Sequence, residues 1–389
     1  MRVLITTPVF PPDLGGPAVY VPSLGRFLVE RGHDVEVIAF CSDPAPQGHP
    51  FRVTAISTRS NAVRYLLAFF AVLKAAGRVD VVYVNEHLAL LHVLAAKLRG
   101  KPVMIRIMVD GAWEISHRKG WCGADDIVTF QTKNYGPRVR LTRALQRRWW
   151  SWSDNIVACS DFLRGILVDS YGVEPAKVQR IFNAHHGPQF EDVLETQREA
   201  RTQLGLDTQK RYLLTICRLM VWKRVDGIIE ALRGLPDDVQ LLVAGDGDMQ
   251  AEWSALSARL GLASRVHFLG NVPHARIPLY IRAADVFVLN SEYEGLSHTL
   301  LEVMNLGTPI VASNVCGNPE VIEHGVNGLT CDPRRPETVR VAVQRLLDDP
   351  ALARQFARAG LARRETFRRD VTFGEVERAL ARLVPAAGD

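Results

Sequence analysis

Two glutamates eight residues apart lie in the segment DVFVLNSEYEGLSHTLLEVMNLGTPIVAS, whose pattern predicts strand, loop, helix, glycine turn and strand. Glu294 falls in the loop and Glu302 on the helix. Between them, Gly295, Leu296 and Ser297 supply the free N–H groups of a helix N-terminus, which favours a diphosphate. Because carboxylates repel phosphate, we assign Glu302 to a ribose and Glu294 to a sugar hydroxyl. The alternative makes Glu294 a charge that the helix dipole favours, and Glu302 a surface residue.

Two basic side chains come from another strand end. In TICRLMVWKRVDGIIEAL, Arg218 follows a strand and Lys223 lies in the next loop. Such cations can neutralise a diphosphate and the charge that develops as a bond to it breaks, although alone they could equally be solvated charges. Gly245 opens the turn Gly245-Asp246-Gly247 after the strand VQLLVA, where a glycine lets the chain leave the sheet. Three such elements, each after a strand, indicate one anion-binding site.

Further candidates lie in the first half of the chain. Gly16 sits between a strand and a helix, where it allows the backbone to approach a ligand or simply makes a tight turn. Asp110 follows the strand PVMIRIMV and could hydrogen-bond a hydroxyl group or act as a base, or it could cap the next helix. Asn85 and Glu86 also follow a strand, and their position alone suggests contact with a second substrate.

Strands must bring these residues together, and two series of short β-branched runs are present. The first series includes RVLITT, HDVEVIAF, VDVVYVN and PVMIRIMV, and the second includes RYLLTICRL, VQLLVAGDG, VHFLGNV, DVFVLNS and PIVASNV, with the turn-rich NAHHGP of residues 183–188 between them. Strands that alternate with helical patterns are typical of parallel sheets. A chain of 389 residues suits two such domains of roughly 150–200 residues each. Ligands bind beyond the carboxyl ends of such strands, where the candidates fall.

Taken together, these segments resemble the retaining glycosyltransferases of family 4, relatives of bacterial mannosyl- and glucosyltransferases. The similarity covers nearly the whole chain and includes FPPDLGGPAVYVPSLGRFLVERGHDVEVI, CRLMVWK, the GDG turn, VHFLGNVPHARIPLYIRAADVFVLNS and the E-x7-E helix that continues into GTPIVASNVCGNPEVIEHGVNGLTCDP. The resemblance implies the α/β GT-B fold, with two facing Rossmann-like domains, parallel sheets and a deep interdomain cleft. It implies an acceptor-binding domain at residues 1–185, a nucleotide-sugar-binding domain at 186–365, and a helix at 366–389 that returns to the first domain.

The resemblance also implies a role for each candidate. It implies that Arg218 and Lys223 hold the donor diphosphate, that Glu302 holds the ribose, and that Glu294 holds the transferred sugar or its phosphate. The backbone at Asn271 and Val272 is expected near the base. The Gly16 loop is expected to close over the donor phosphate, and Asp110 to contact the donor sugar. The implied reaction moves a hexose-type sugar from a UDP- or GDP-sugar to an acceptor hydroxyl with retention, by an internal return in which the leaving phosphate takes the acceptor proton. No cofactor and no metal are expected, because the cations and the helix N-terminus supply positive charge.

Composition limits the partners and the location. Residues 1–185 hold 23 Lys and Arg against 15 Asp and Glu, so the first half is basic. The stretch 137–154 has five arginines and three tryptophans, which suits either a membrane-surface helix or a solvated helix whose tryptophans enter the core. No nucleic-acid recognition motif accompanies this charge. The first residues show no charged region followed by an apolar one, so no export is expected. The apolar run 65–73 is too short to span a bilayer and predicts a buried helix. We expect a cytoplasmic protein, with peripheral membrane contact through the basic half and a small-molecule, glycan or lipid-linked acceptor as open alternatives.

Other functions share part of this pattern. A nucleotide-sugar epimerase of GT-B build is the alternative that uses the same donor-binding logic, without an acceptor. A nicotinamide dehydrogenase should show a G-x-G-x-x-G fingerprint, which the chain lacks. A non-catalytic sugar-binding protein would have no clear use for the full set of charged residues described above. The six cysteines are scattered without a C-x-x-C pair, so neither a zinc site nor a disulfide framework is indicated.

Overall fold

The computed structural model describes residues 1–13, 15–58, 60–86, 89–185 and 195–385. Residues 186–188 of the expected linker and 386–389 of the terminal segment therefore lie outside the described residues. The chain divides into two compact units, one formed by Met1–Phe182 with the chain from Arg369 onward, and the other by Asn183–Arg368. The expected bounds of 185 and 365 fall within three residues of these division points.

A seven-stranded sheet forms the centre of the first unit. Its strands are β1 (Arg2–Thr7), β2 (Asp34–Phe40), β3 (Arg52–Ile56), β4 (Val81–Val84), β5 (Val103–Ile107), β6 (Asn155–Ala158) and β7 (Val178–Arg180). They lie in the order β3-β2-β1-β4-β5-β6-β7, and every pairing is parallel. Strand order therefore reverses between β1 and β4, as at the ligand-binding switch point of a doubly wound sheet.

Helices cover this sheet. They are α1 (Gly16–Glu30), α2 (Asn61–Ala76), α3 (Leu90–Leu98), α4 (Gly111–Arg118), α5 (Ile127–Thr132), α6 (Pro137–Trp152), α7 (Asp161–Gly165) with a π-helical turn at Ile166–Ser170, and, from the far end of the chain, α15 (Arg369–Leu383). Helix α15 packs against α1 and β4, whereas α2 contacts α3 and α3 contacts α6. Right-handed crossovers place α2, α3 and α6 together on the face opposite α1, because the chain reverses direction across the sheet after β3.

The second unit repeats this arrangement with six parallel strands. They are β8 (Arg211–Ile216), β9 (Val239–Ala244), β10 (Val266–Gly270), β11 (Val286–Leu289), β12 (Ile310–Ser313) and β13 (Leu329–Cys331), in the order β10-β9-β8-β11-β12-β13. The helices are α8 (Gln197–Leu204), α9 (Val225–Leu232), α10 (Gln250–Arg259), α11 (Ile277–Ala283), α12 (His298–Leu306), α13 (Pro336–Asp348) and α14 (Pro350–Arg363). Strand order reverses between β8 and β11, so each unit is Rossmann-like and the expected α/β class is confirmed.

Local sequence explains where several helices begin and end. Ser160 and Ser297 each accept a hydrogen bond from the backbone N–H three residues on, and Thr196 forms a capping box with Glu199. Gly307 ends α12 in the left-handed conformation with φ of 70°, which glycine adopts without a steric penalty. The Ser297 cap thus fixes the start of α12, where the candidate anion site lies.

The apolar run 65–73 forms part of α2, as a helix, but it is not buried. Leu66, Leu67 and Phe70 are 53%, 48% and 57% exposed, so the expectation of a buried helix is wrong. Only one side of α2 can face the sheet, and this run is apolar on both sides. Ala68 and Val72 supply the side that packs inward.

Helical spacing in the terminal segment predicts an apolar stripe, and helix α15 departs from it in part. The predicted stripe consists of Phe367, Val371, Val376, Leu380 and Leu383. Phe367 lies before the helix and belongs to the second unit, where its carbonyl accepts from the N–H of His185. Arg368 is extended, which breaks the helical phase, and Val371 is consequently 40% exposed. Phe373 takes the inward position and makes edge contacts with the rings of Tyr20 and Phe27.

Candidate functional site

The polar residues of the second unit meet at the switch point of its sheet. Arg218 follows β8 and Glu294 follows β11, and these two strands pair directly. The carbonyl of Trp222 accepts a hydrogen bond of 2.7 Å from the N–H of Glu292, so the short 3₁₀ helix Val221–Lys223 is tied to the loop after β11. This bond brings Lys223 next to Glu294.

Lys223 and Glu294 form an ion pair of 2.6 Å, with 17% and 13% of their side chains exposed. Ser291 donates its hydroxyl to the same carboxylate oxygen at 2.9 Å. Burial is the largest single influence and lowers the pKa of Lys223, but the attraction to Glu294, the interaction with Cys217 and the hydrogen bond to Glu294 together outweigh it, so the net direction is upward. Burial also raises the pKa of the nearby Cys217 thiol to about 12, so this cysteine stays protonated. The site therefore keeps a fixed ammonium group beside a carboxylate.

Arg218 has a different environment. Its side chain is exposed, and no side-chain hydrogen bond or ion pair of Arg218 is found within the described residues. Its backbone carbonyl accepts from the N–H of Met220 at 2.8 Å, which fixes the turn that carries it. The guanidinium group is consequently available for an anion.

Gly245 is required by a close approach between two strand ends. Its φ is 129°, and a Cβ there would lie 1.9 Å from the carbonyl oxygen of Cys217. Gly247 is similarly constrained, because its Cβ would lie 2.4 Å from the carbonyl oxygen of Leu219. A hydrogen bond also joins the two loops, because the N–H of Leu219 donates to the backbone carbonyl of Asp246 at 2.9 Å. The glycine turn thus positions the loop of Arg218.

The start of α12 is closely packed. Ser297 caps the helix by accepting from the N–H of Leu300, and the carbonyl of Leu296 accepts from the Asn183 amide at 2.7 Å. Gly317 lets its loop approach Gly295, where a Cβ would meet the Gly295 carbonyl at 2.0 Å. These contacts place the residues between Glu294 and Glu302 at the N-terminus of a helix, beside the Lys223–Glu294 pair.

Glu302 lies inside the unit, with 7% of the residue exposed, so the alternative of a surface residue is wrong. One carboxylate oxygen lies 3.5 Å from Nε2 of His274. Burial raises the pKa of Glu302, while the hydrogen bond to Glu302 raises the pKa of His274. His274 was not among the residues predicted from the sequence. The turn VPHARIP, which follows the strand of Asn271, was its only signal. Asn271 is exposed and Val272 half-buried after the left-handed Gly270.

A second missed group surrounds Arg224, whose φ of 47° is left-handed. Its guanidinium donates to Glu292 at 2.7 Å and to Asp226 at 3.1 Å. The Asn290 amide donates to its carbonyl at 3.0 Å. Hydrogen bonds from the side chain and to the carbonyl thus fix the conformation of Arg224, which directly follows Lys223 in the chain. A left-handed backbone at an arginine has no sequence signature, so only the structure reveals this group.

Asp110 has the contacts of a helix cap. The residue is 1% exposed, and its carboxylate accepts from the N–H groups of Ala112 and Trp113 at the start of α4. Further hydrogen bonds come from the Gln131 and Gln146 amides and from the Tyr171 hydroxyl. A role of Asp110 at the donor sugar stays a prediction beside this capping role. The cap alternative is the one that the contacts describe.

The other candidates of the first unit lie at its own switch point, near the ends of β1 and β4. Gly16 is the first residue of α1, and no side chain caps that helix. Asn85 and Glu86 are buried: Asn85 accepts from Arg106 at 3.0 Å, and Glu86 is in direct contact with Nδ1 of the buried His92. Glu86 is therefore engaged inside the unit, whereas Asn85 keeps an amide nitrogen that no described group accepts from.

Two features are absent from the described residues. No group of three or more His, Cys, Asp or Glu side chains in them has the geometry of a metal site. Within the same residues, no helix combines the length and the apolar character that crossing a bilayer requires.

Two family profiles match adjoining parts of the chain. The family described as Glycosyltransferase Family 4 matches residues 14–185, and the one described as Glycosyl transferases group 1 matches residues 196–363. The first match covers most of the first unit and runs on to residue 185, just past the division at Phe182. The second match lies within the second unit.

Related proteins match along most of their length. An uncharacterised glycosyltransferase of Methanocaldococcus jannaschii is 26% identical over 368 residues, 90% of each chain. A GDP-mannose-dependent α-(1-6)-phosphatidylinositol monomannoside mannosyltransferase of Mycobacterium tuberculosis is 26% identical over 384 residues, 92% of each chain. Among solved structures, the Anabaena protein HepE in complex with UDP aligns with a TM-score of 0.79 at 20% identity, over 98% of this chain and 100% of its own. That likeness shows a shared fold.

Proposed function

The chain belongs to glycosyltransferase family 4 and has the GT-B fold, and from this premise we propose that it transfers a hexose-type sugar from a UDP- or GDP-sugar to an acceptor hydroxyl with retention of configuration. The observation that carries the proposal is the meeting of Arg218, the Lys223–Glu294 pair and the start of α12 at the switch point of the second sheet. The second unit is the proposed donor-binding unit, and the first is the proposed acceptor-binding unit.

Each group of the second unit has a proposed role in donor binding. Arg218 and Lys223 bind the diphosphate, together with the N–H groups at Gly295, Leu296 and Ser297. Glu302 accepts from the ribose hydroxyls, and His274 keeps its carboxylate oriented. Gly245 supports the Arg218 loop, and the backbone at Asn271 and Val272 lies near the base. The Gly16 loop of the first unit is proposed to close over the donor phosphate.

The proposed mechanism is an internal return. The bond between the anomeric carbon and the diphosphate oxygen breaks, the acceptor oxygen bonds to that carbon on the same face, and the acceptor proton passes to the leaving phosphate oxygen. Lys223 and Arg218 stabilise the negative charge that develops on the diphosphate, so the chemistry is proposed to proceed without a metal or other cofactor. Glu294 holds a sugar hydroxyl and thereby orients the anomeric carbon.

Several parts of this proposal concern the setting of the enzyme. The acceptor class stays open among small molecules, glycans and lipid-linked sugars. A cytoplasmic location, with peripheral membrane contact through the basic first unit, belongs to the same proposal. A nucleotide-sugar epimerase of the same build would bind the same donors, but its product would stay attached to the nucleotide.

The test combines donor binding with transfer. A panel of UDP- and GDP-sugars should contain one that raises the melting temperature, because a ligand that binds only the folded state stabilises it. With that donor, transfer to an acceptor should release free nucleoside diphosphate. Conversion of the donor into another nucleotide sugar, without release of diphosphate, would support the epimerase and overturn the transferase.

Glu294→Gln and Glu302→Ala should separate the two glutamate roles. A charge-assisted hydrogen bond contributes about 1.5–3 kcal/mol, so each change should lower transfer roughly ten- to hundredfold. Glu294→Gln should keep most of the affinity for the free nucleoside diphosphate, whereas Glu302→Ala should lose it, because only Glu302 is assigned to the ribose. Glu252→Gln, at an exposed position of α10, is the control. More than half of wild-type turnover in either variant contradicts that assignment.

A further inference from the structure

The exposed apolar side chains of the protein are concentrated on one helix layer. Twelve large hydrophobic side chains are exposed within the described residues, and seven of them lie on α2, α3 and α6. These seven are Val63, Leu66, Leu67, Phe70, Leu98, Leu141 and Leu145, with exposed fractions between 42% and 62%. Scattered surface hydrophobics need no explanation, but a concentration on adjacent helices indicates a binding surface. We call the outward sides of these three helices the α2–α3–α6 surface.

Helix spacing shows that these residues form stripes. On α2, Leu66 and Leu67 lie three and four residues after Val63, Phe70 lies three and four residues after them, and the exposed Lys74 lies four residues further on, which places all five on one side of the helix. Ala68, Val72, Ala75 and Ala76 are buried on the opposite side, so the exposed stripe is an addition to the core-facing one.

Helix α6 has a comparable stripe with basic ends. Arg138, Leu141, Leu145, Arg148 and Trp152 share its outer side. The Arg148 guanidinium lies 4.9 Å from the ring of Trp152, while Trp149 and Trp150 are buried. The expectation that tryptophans of this segment enter the core is therefore confirmed for two of the three. Helix α3 lies between the stripes, because it contacts both α2 and α6, and contributes Leu98.

The charge of the surface is of one sign. Helices α2, α3 and α6 contain eight Lys and Arg and no Asp or Glu. Three of the eight are engaged locally: Arg64 with the carbonyl of Thr58, Lys97 with Asp154, and Arg143 against the rings of Phe130 and Tyr171. The remaining five are exposed, namely Lys74, Arg138, Arg140, Arg147 and Arg148.

We propose that the α2–α3–α6 surface docks on an anionic lipid bilayer. Exposed leucine and phenylalanine side chains can enter the boundary between headgroups and acyl chains, while long basic side chains reach anionic headgroups. A second copy of the chain fits poorly, because two surfaces that each carry the same five exposed cations repel each other. The inference rests on the proposed function only for the class of acceptor, since a transferase held at a bilayer meets acceptors that are anchored in it.

Vesicle sedimentation tests the proposal with the full chain. The protein should sediment with vesicles of phosphatidylcholine containing 30% phosphatidylglycerol, and far less with phosphatidylcholine alone. The double variant Leu66→Ser, Phe70→Ser and the double variant Arg147→Glu, Arg148→Glu should each lower the bound fraction at least fivefold. Rising salt should release the wild-type protein, because the attraction to anionic headgroups is screened.

Matched controls come from exposed residues of the second unit. Val341→Ser removes an apolar side chain that is 55% exposed, and Arg354→Glu with Arg358→Glu makes the same charge change on α14. These controls should bind vesicles as the wild type does. The proposal is overturned if the surface variants bind vesicles as well as the wild type does, or if binding does not depend on anionic lipid. It is also overturned if the protein self-associates with rising concentration and the leucine and phenylalanine changes abolish that association. Nucleotide binding, measured separately, should be unchanged in every variant, so failure here is distinguishable from failure of the proposed function.

Discussion

Arg218 and Lys223 have the same charge but different surroundings, and this difference decides what each can do. Lys223 is half-buried and already paired with Glu294, so it serves the diphosphate and the orientation of the carboxylate together. Arg218 is exposed on a turn that the glycines after β9 support. The sequence predicts Arg218 at a strand end and Lys223 in the next loop, but it does not predict the pairing of Lys223 with Glu294, because that contact joins positions 71 residues apart.

Arg218→Ala should weaken the binding of a nucleoside diphosphate more than that of the monophosphate. The lost charge-assisted contact contributes about 1.5–3 kcal/mol, which corresponds to roughly ten- to a hundredfold in affinity for the diphosphate. Titration calorimetry with UDP, UMP, GDP and GMP measures the difference. Arg233→Ala, at an exposed position after α9, is the control. If both nucleotides lose the same affinity, Arg218 does not contact the outer phosphate.

At the scale of elements, the loops after parallel strands carry the site, and close approaches between backbones hold these loops. Gly245 shows why glycine is needed there: a Cβ would lie 1.9 Å from the carbonyl of Cys217. The sequence alone predicts a turn at Gly245-Asp246-Gly247, but it does not show which loop the turn contacts. That information resides in the order of the strands, with β9 beside β8.

Gly245→Ala should lower the free energy of unfolding of the second unit by clearly more than Gly261→Ala. Both glycines have positive φ, but nothing lies within 4 Å of a Cβ at Gly261, so that change costs only the left-handed backbone penalty of roughly 1–2 kcal/mol. Gly245→Ala must in addition displace the Cys217 backbone, and donor affinity should fall with it. Denaturant unfolding and nucleotide titration measure the two effects. Similar losses for both variants would show that the approach at Cys217 is not restrictive.

The sequence was most informative where one strand and its following residues decide the outcome. The alternation of strands and helices, the α/β class and the position of Glu302 on a helix were all predictable from local patterns. The hydrogen-bond partners of Asp110 were not, because Gln131, Gln146 and Tyr171 come from three later segments. The exposure of α2 was not predictable either, because the hydropathy of a helix does not show how much of its surface packs against the rest of the protein.

At the scale of the whole molecule, the first unit is built from two separate stretches of chain. Helix α15 completes it: Phe373 is 1% exposed, Glu377 pairs with His33 at 2.8 Å, and Arg382 donates to Gln179. These contacts connect residues that are more than 200 positions apart.

Phe373→Ala should lower the free energy of unfolding of the first unit by about 3–5 kcal/mol, because it removes a buried ring and leaves a cavity. Val371→Ala on the same helix, where 40% of the side chain is exposed, should change it by less than about 0.5 kcal/mol. Hydrogen exchange should show the loss in β1, β4 and α1 and leave β8 to β13 protected. Unchanged protection in β1 and β4 would mean that α15 does not stabilise this sheet.

The divided first unit also has a consequence for the order of events on the ribosome. Synthesis delivers residues 183–368 as one uninterrupted stretch, so the second unit can close as soon as it has emerged. The first unit, although its sheet is made earlier, lacks the side chains that cover Tyr20 and Phe27 until residues 369–383 are released. Domains usually mature in the order of translation. Here the part that begins first must finish last, and its uncovered aromatic face is available to chaperones throughout the synthesis of its neighbour.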